Sequence, residues 1–141
     1  MAAYVKYQKG TEVLAEEANC GTDTWKLLLS NTAPNVGTDT TAASATELST
    51  AGGYTAGGVT CAITSALQTS GIYKLTLAAP SAPTWTASGA GFTFRYVILY
   101  NLTRTQCIGY WDYGSSVVMN GTNGDTFTPT LDAVNGTFTI T

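Results

Sequence analysis

FTFRYVILYN, residues 92–101, is the stretch that decides the fold. Its large side chains alternate between two faces, which is typical of a β-strand. The first face takes Phe92, Phe94, Tyr96, Ile98 and Tyr100, and the second takes Val97 and Leu99. Because both faces of its second half are apolar, the stretch predicts a central strand that is covered on both sides.

Arg95 interrupts this stretch with a charge. An unpaired buried charge is costly. We therefore expect the Arg95 side chain to reach a sheet edge, an acidic residue or a subunit interface.

Other segments of the chain have the same β-strand character. They are rich in β-branched and aromatic residues, and Gly, Pro, Asn and Asp separate them at roughly ten-residue spacing. These segments are 24–30, 59–64, 71–78, 84–88, 107–114, 116–120, 126–130 and 137–141. They predict one all-β domain over 1–141, an antiparallel, jelly-roll-like β-sandwich of about eight or nine short strands. In the last segment we expect Phe138 and Ile140 to point inward, and Asn135-Gly136 is a strong hairpin-turn signal.

The N-terminal region has a different pattern. Apolar and small residues fall on one helical stripe within 4–18, so the pattern predicts a short helix or a strand leading into a helix. We expect residues 1–20 to form an N-terminal helix or arm. The stripe consists of Tyr7, Thr11, Leu14 and Ala18.

Residues 31–58 contain few large apolar side chains. Loops longer than about 12–15 residues in a compact domain are usually functional or disordered. The segment therefore predicts a long extended loop, which is either mobile at the surface or an arm ordered against a neighbouring subunit. Gly52-Gly53 and Gly57-Gly58 bracket Tyr54, and such glycines permit positive φ or close backbone approach.

The charge composition argues against two classes of function. The chain has no His, and charged residues make up 11% of it. Because catalysis near neutral pH usually recruits His or clustered carboxylates and lysines, we expect no enzymatic activity. The net charge is −3, so we also expect no nucleic-acid binding, which needs a basic surface.

Metal sites, cofactors and membrane spans are not expected either. Cys20, Cys61 and Cys107 are far apart in the sequence and predict three buried thiols rather than a disulfide framework. Zinc usually takes four Cys or His ligands, so no metal site is indicated. A spanning helix needs about 20 apolar residues, and no such run occurs. The first residues contain no apolar signal core, and we expect folding in a cytoplasm.

Four segments, in their order and spacing, resemble the small virion proteins of tailed bacteriophages. They are KLLLSNTAPN (26–35), GGYTAGG (52–58), FRYVILYN (94–101) and IGYWDYGSSV (108–117). The resemblance implies a capsid decoration, or cement, protein that is made in the host cytoplasm and located on the capsid exterior. Such a protein binds the outer surface of the major capsid protein shell as a homo-oligomer, a dimer or trimer, and stabilises it. The family carries no catalytic residues.

The contacts that this role requires are expected in the N-terminal segment, in the 31–58 segment and at one exposed ring. The candidate partner-binding residues are Tyr4, Tyr7, Pro34, Val36, Leu48, Tyr54 and Trp85. An alternative is a tail, baseplate or head-fibre module that binds host surface glycans through exposed aromatics, Trp85 and Tyr54 first. A third reading is a β-sandwich unrelated to virions, such as an adhesin or a hydrolase.

Overall fold

The computed structural model of the chain describes residues 2–80, 82 and 84–141, which form nine β-strands and one α-helix. All strand pairs are antiparallel, so the predicted all-β antiparallel fold is confirmed. The elements in chain order are β1 (Ala3–Lys6), α1 (Gln8–Glu16), β2 (Trp25–Ser30), β3 (Val59–Thr69), β4 (Ile72–Ala78), β5 (Trp85–Thr86), β6 (Phe92–Asn101), β7 (Gln106–Met119), β8 (Thr126–Phe127) and β9 (Phe138–Ile140).

Seven strands form one sheet in the order β1-β7-β6-β2-β3-β4-β9, and β5 and β8 form a small second sheet. The large sheet is curled, since residues of its two edge strands, β1 and β9, line the same groove. The inner face of the curl holds the main core, which includes Trp25, Leu29 and Leu99. The small sheet contributes to this core through Trp85 and Phe127, whose rings stack with centroids 5.8 Å apart.

Strand β6 lies between β7 and β2, and every residue from Tyr96 to its end is buried. The outer face of the sheet carries a second apolar cluster that includes Leu28, Ile98 and Tyr100. The prediction that both faces of this strand are covered is therefore confirmed.

The face assignment of the first half of β6 was wrong. Phe94 packs in the main core with Val97 and Leu99, not on the face of Ile98. The register against β7 shifts between Phe94 and Tyr96, and such an irregularity reverses the alternation of side chains.

Strand β7 is continuous where the sequence predicts two strands separated by a turn at 112–116. Residues 113–116 of β7 form an irregularity in the pairing with β6, because Phe94 lies opposite Val117 but Tyr96 lies opposite Asp112. The Asp112 carboxylate accepts two hydrogen bonds from the Arg95 guanidinium, at 2.8 and 2.9 Å, and one from the Gly114 N–H, at 2.7 Å. The prediction that Arg95 reaches an acid is confirmed.

The N-terminal region is a strand leading into a helix, as the sequence indicates. The buried residues of α1 are Gly10 and Val13, rather than the predicted stripe. A Cβ added at Gly10 would lie 2.7 Å from the Cys107 carbonyl oxygen, so this glycine allows the helix to lie directly against β7. On the predicted stripe, Leu14 is half-buried and Thr11 is exposed.

Residues 31–58 form a long loop, as predicted, but the loop is not extended. The Cys107 N–H donates to the Thr40 carbonyl at 2.7 Å, and Ala45 is buried in the outer cluster. The accessible surface of the chain is 6969 Å². A compact monomer of 14.7 kDa is expected to have roughly 6,900 Å². The loop therefore covers its own sheet, because the apolar outer face of β2 and β6 requires a cover.

The loop also satisfies the backbone of β2 where β3 does not reach it. Strand β3 pairs with β2 only as far as Leu27. Beyond that point the Leu29 N–H donates to the Tyr54 hydroxyl at 3.1 Å, and the Leu48 N–H donates to the Leu29 carbonyl at 2.8 Å. The Tyr54 hydroxyl in turn donates to the Glu47 carboxylate at 2.6 Å. Gly52 has a φ of 61°, as its bracketing position predicts.

Replacing the Tyr54 hydroxyl tests this arrangement. We expect Tyr54→Phe to lower the free energy of unfolding by about 1–3 kcal/mol, since the Leu29 N–H loses its partner in the core. Urea denaturation measures this change. Tyr113→Phe, at a tyrosine that is 36% exposed, is the matched control and should leave the midpoint almost unchanged. Equal midpoints for the two variants would show that the loop is not held through this hydroxyl.

Candidate functional site

Three of the seven residues predicted to bind a partner are buried in the chain itself. Tyr7, Tyr54 and Trp85 are 0%, 1% and 4% exposed. The expectation that Trp85 is an exposed ring was wrong, because it stacks on Phe127 and belongs to the main core. The four half-buried members of the set are Tyr4, Pro34, Val36 and Leu48.

The seven residues do not form one surface. Tyr7 belongs to the outer cluster, while Tyr54 and Trp85 lie in the main core with Leu48 packed against it. The Val36 carbonyl accepts the Gln8 N–H at 3.0 Å, which fixes the loop to the start of α1. These contacts give most of the predicted residues a structural role within the chain.

Tyr4 differs from the others because it lines a groove at the edge of the large sheet. This groove, here called the seam groove, lies between β1 and β9 beside α1 and has a volume of about 230 Å³. Its lining includes Tyr4, Lys6, Leu14, Ala15, Phe138 and Ile140. The surface is apolar apart from the Lys6 ammonium and the Thr hydroxyls, so it can bind an uncharged or weakly acidic chain.

Two further cavities adjoin the seam groove at its ends. One shares Tyr4 with it, continues past Trp111 and Leu131, and has a volume of about 170 Å³. The other shares Leu14 and Ile140 and continues to Tyr73. The open space therefore follows the gap between the two edge strands.

The wall formed by Tyr4 is rigid. Its ring packs on Trp111, with centroids 5.1 Å apart. It also lies over Gly109, where an added Cβ would be 2.3 Å from the Tyr4 hydroxyl oxygen. Burial raises the pKa of the Tyr4 hydroxyl well above its ordinary value, which itself lies above physiological pH, so the hydroxyl is neutral.

Part of this groove could be read from the sequence. The predicted helical stripe contains Thr11 and Leu14, and both line the groove. The buried residues of the helix are Gly10 and Val13, which lie off this stripe. The opposite wall was expected to be buried, but Ile140 is 41% exposed.

The one buried charged side chain outside the groove, among the described residues, has partners within the chain. The buried Asp23 carboxylate accepts hydrogen bonds from Asn101 Nδ2 at 2.9 Å, from Arg104 Nε at 3.2 Å and from the Asn19 N–H at 3.1 Å. Among the described residues, no group of three or more His, Cys, Asp or Glu side chains is placed to hold a metal ion. No helix in the described part of the chain is long and apolar enough to cross a membrane.

Comparison with protein-family models, with curated proteins and with solved structures finds no match to this chain.

The three cysteines are free and buried, as predicted. Cys61 lies in the main core and Cys107 in the outer cluster. Burial raises the pKa of each of these two thiols from 9.0 to about 12. The thiols are therefore neutral small apolar groups in the folded state.

This difference in pKa makes the folded state sensitive to alkali. Unfolded thiols lose their protons near pH 9, whereas the folded thiols hold theirs to about pH 12. The stabilisation that the neutral thiols give the folded state is therefore complete below pH 9 and is lost as the pH rises toward 12.

We expect ionisation of each thiol in the unfolded state to lower the free energy of unfolding by about 1 kcal/mol between pH 8 and pH 10. Denaturant titrations across this range measure the slope, and a Cys61→Ala, Cys107→Ala double variant should have a shallower one. Parallel slopes would contradict the assignment.

Proposed function

We propose that this chain is a structural virion protein of a tailed bacteriophage, a capsid decoration (cement) protein. It binds the outer surface of the major capsid protein shell as a homo-oligomer and stabilises the shell. The proposal starts from the resemblance of the segments 26–35, 52–58, 94–101 and 108–117 to small phage virion proteins.

The observation that carries the proposal is the arrangement of these four segments in the fold. The segment 26–35 begins in β2, and the segments 94–101 and 108–117 lie within β6 and β7. These three strands are consecutive neighbours in the large sheet. The fourth contains Tyr54, whose hydroxyl accepts the hydrogen bond from the Leu29 N–H of β2. The shared pattern therefore describes one continuous scaffold rather than a reactive site, which supports a structural role.

The physical properties of the chain fit a lattice protein. The long loop is fixed to the body by backbone hydrogen bonds such as Cys107 N–H to Thr40 O. A rigid body that binds as many identical copies needs only modest contacts in each copy, since the contacts act together on one shell. Closed symmetric oligomers are the usual way to match a symmetric lattice.

The glycan-binding alternative receives less support. It needs exposed aromatic rings, and the two rings on which it depends, Trp85 and Tyr54, are 4% and 1% exposed. We therefore retain the capsid role as the single proposed function.

The copy number of this chain in purified virions tests the proposal. Quantitative peptide mass spectrometry should give one copy per major capsid protein subunit or a simple fraction of that number. Peptides of the major capsid protein and of a tail protein serve as internal references for the two classes of abundance. A handful of copies per particle would assign the chain to the tail or a fibre, and its absence from virions would overturn the virion proposal.

A further inference from the structure

The two edge strands of the large sheet run in the same direction. Six successive antiparallel pairings connect β1 to β9 through β7, β6, β2, β3 and β4. Each pairing reverses the direction, and six reversals restore it. Residues of both strands line the same cavities: Tyr4 shares one with Thr137, and Lys6 shares the other with Thr139 and Ile140.

The shared direction of β1 and β9 determines which strand pairings can close the curled sheet. Direct pairing of β1 with β9 would require a parallel pair, which is slightly less stable per residue than an antiparallel one. A single inserted strand that runs in the opposite direction is antiparallel to both edges. It would complete an eight-stranded, wholly antiparallel barrel, a size whose interior side chains can fill.

The strands on both sides of the seam groove are short, with four residues in β1 and three in β9, and shortness is one way in which soluble proteins limit pairing at free strand edges. Other protections are charged residues, proline and bulges. The sequence around β9, residues 137–141, is Thr-Phe-Thr-Ile-Thr and contains none of these. Strand β1 has one charge, Lys6 at its end. Ile140 is 41% exposed beside this open edge.

Lys6 is the one charged side chain among the described residues that line the seam groove, and Asp132 lines the adjoining cavity. Lys6 is exposed, and no salt bridge to it occurs among residues 2–80, 82 and 84–141. No acidic side chain of the described residues lines the seam groove. A segment that fills the groove with apolar side chains is therefore complementary if it places a carboxylate beside Lys6.

We propose that the seam groove binds one extended segment of a partner polypeptide as an eighth strand. The segment runs antiparallel to β1 and β9, with apolar side chains against Leu14 and Phe138. Because Lys6 is at the C-terminal end of β1, the carboxylate belongs at the N-terminal end of the incoming segment. Main-chain hydrogen bonds to the two edges supply the affinity, as in other cases of strand addition.

The groove selects a single strand rather than a whole second copy of this chain. The edge strands of a second copy are part of a curled sheet, and helix α1 stands beside the opening. The volume of about 230 Å³ between β1 and β9 has room for a few side chains of one segment. This site does not depend on the capsid role, since it follows from the topology and charge of the chain alone.

Titration with designed peptides, followed by the backbone amide NMR signals of the full chain, tests the proposal. The probe is the acetylated and amidated hexapeptide Asp-Thr-Val-Thr-Val-Thr, in which the carboxylate and both valines lie on one face of an extended strand. We expect it to shift the amide signals of β1 and β9 and to slow their hydrogen exchange. A peptide with proline in place of its central threonine should not bind, since proline cannot donate to a ladder.

Charge and steric variants separate this site from nonspecific association. Lys6→Glu should weaken binding of the probe peptide by about fivefold, which is the upper range for an exposed ion pair. The same variant should bind a peptide with Lys in place of Asp more tightly than the probe. Ala15→Phe fills the groove and should abolish binding, whereas Ala33→Phe, at an exposed loop residue, should not. No shift in β1 and β9 at millimolar probe, or equal binding of the proline peptide, overturns the proposal. Concentration-dependent shifts of these amides without peptide would assign the groove to a second copy and also overturn it.

Discussion

Burial of β6 and β2 on both faces is the constraint on which the rest of the structure depends. Apolar residues of these strands alternate between the inner core, with Leu27 and Leu99, and the outer cluster, with Leu28 and Ile98. Each fully buried side chain of this kind contributes roughly 1.5–3 kcal/mol relative to an exposed one. The sheet therefore needs two covers. Curling supplies the inner one, and the loop 31–58 supplies the outer one.

The use of the loop as a cover has a consequence at the other end of the sheet. The loop is fixed by Tyr54 to the second half of β2 and by Thr40 to the start of β7, so it does not reach the gap between β1 and β9. Helix α1 is held against β7 by the close approach at Gly10. It flanks the gap through Leu14 without closing it. The seam groove is thus what remains after both faces of the central strands have been covered.

The sequence predicted those features that depend on local alternation and missed those that depend on distant pairing. Residues 92–101 are a long strand because alternation of large side chains is visible within ten positions. The pairing of β9 with β4 was not visible, since Asn135-Gly136 indicates a hairpin with the preceding strand. The pairing is instead set by Phe138, which packs on Trp25 with ring centroids 5.7 Å apart. The cover role of 31–58 was hidden because it rests on a few small residues, chiefly Ala42 and Ala45, in an otherwise polar stretch.

The groove was hidden for the same reason, although each of its walls had been noticed. Leu14 belonged to a predicted helical stripe and Ile140 was expected to point inward, and only the topology brings the two side chains to one groove. Because both walls are already held by neighbouring strands, strand addition there would order only the incoming segment. Fixing a residue costs about 1–2 kcal/mol of conformational entropy, and a rigid receptor avoids that cost on its own side. A partner strand added at so short an edge would bind with moderate affinity per copy, and many such contacts on one assembly would act together.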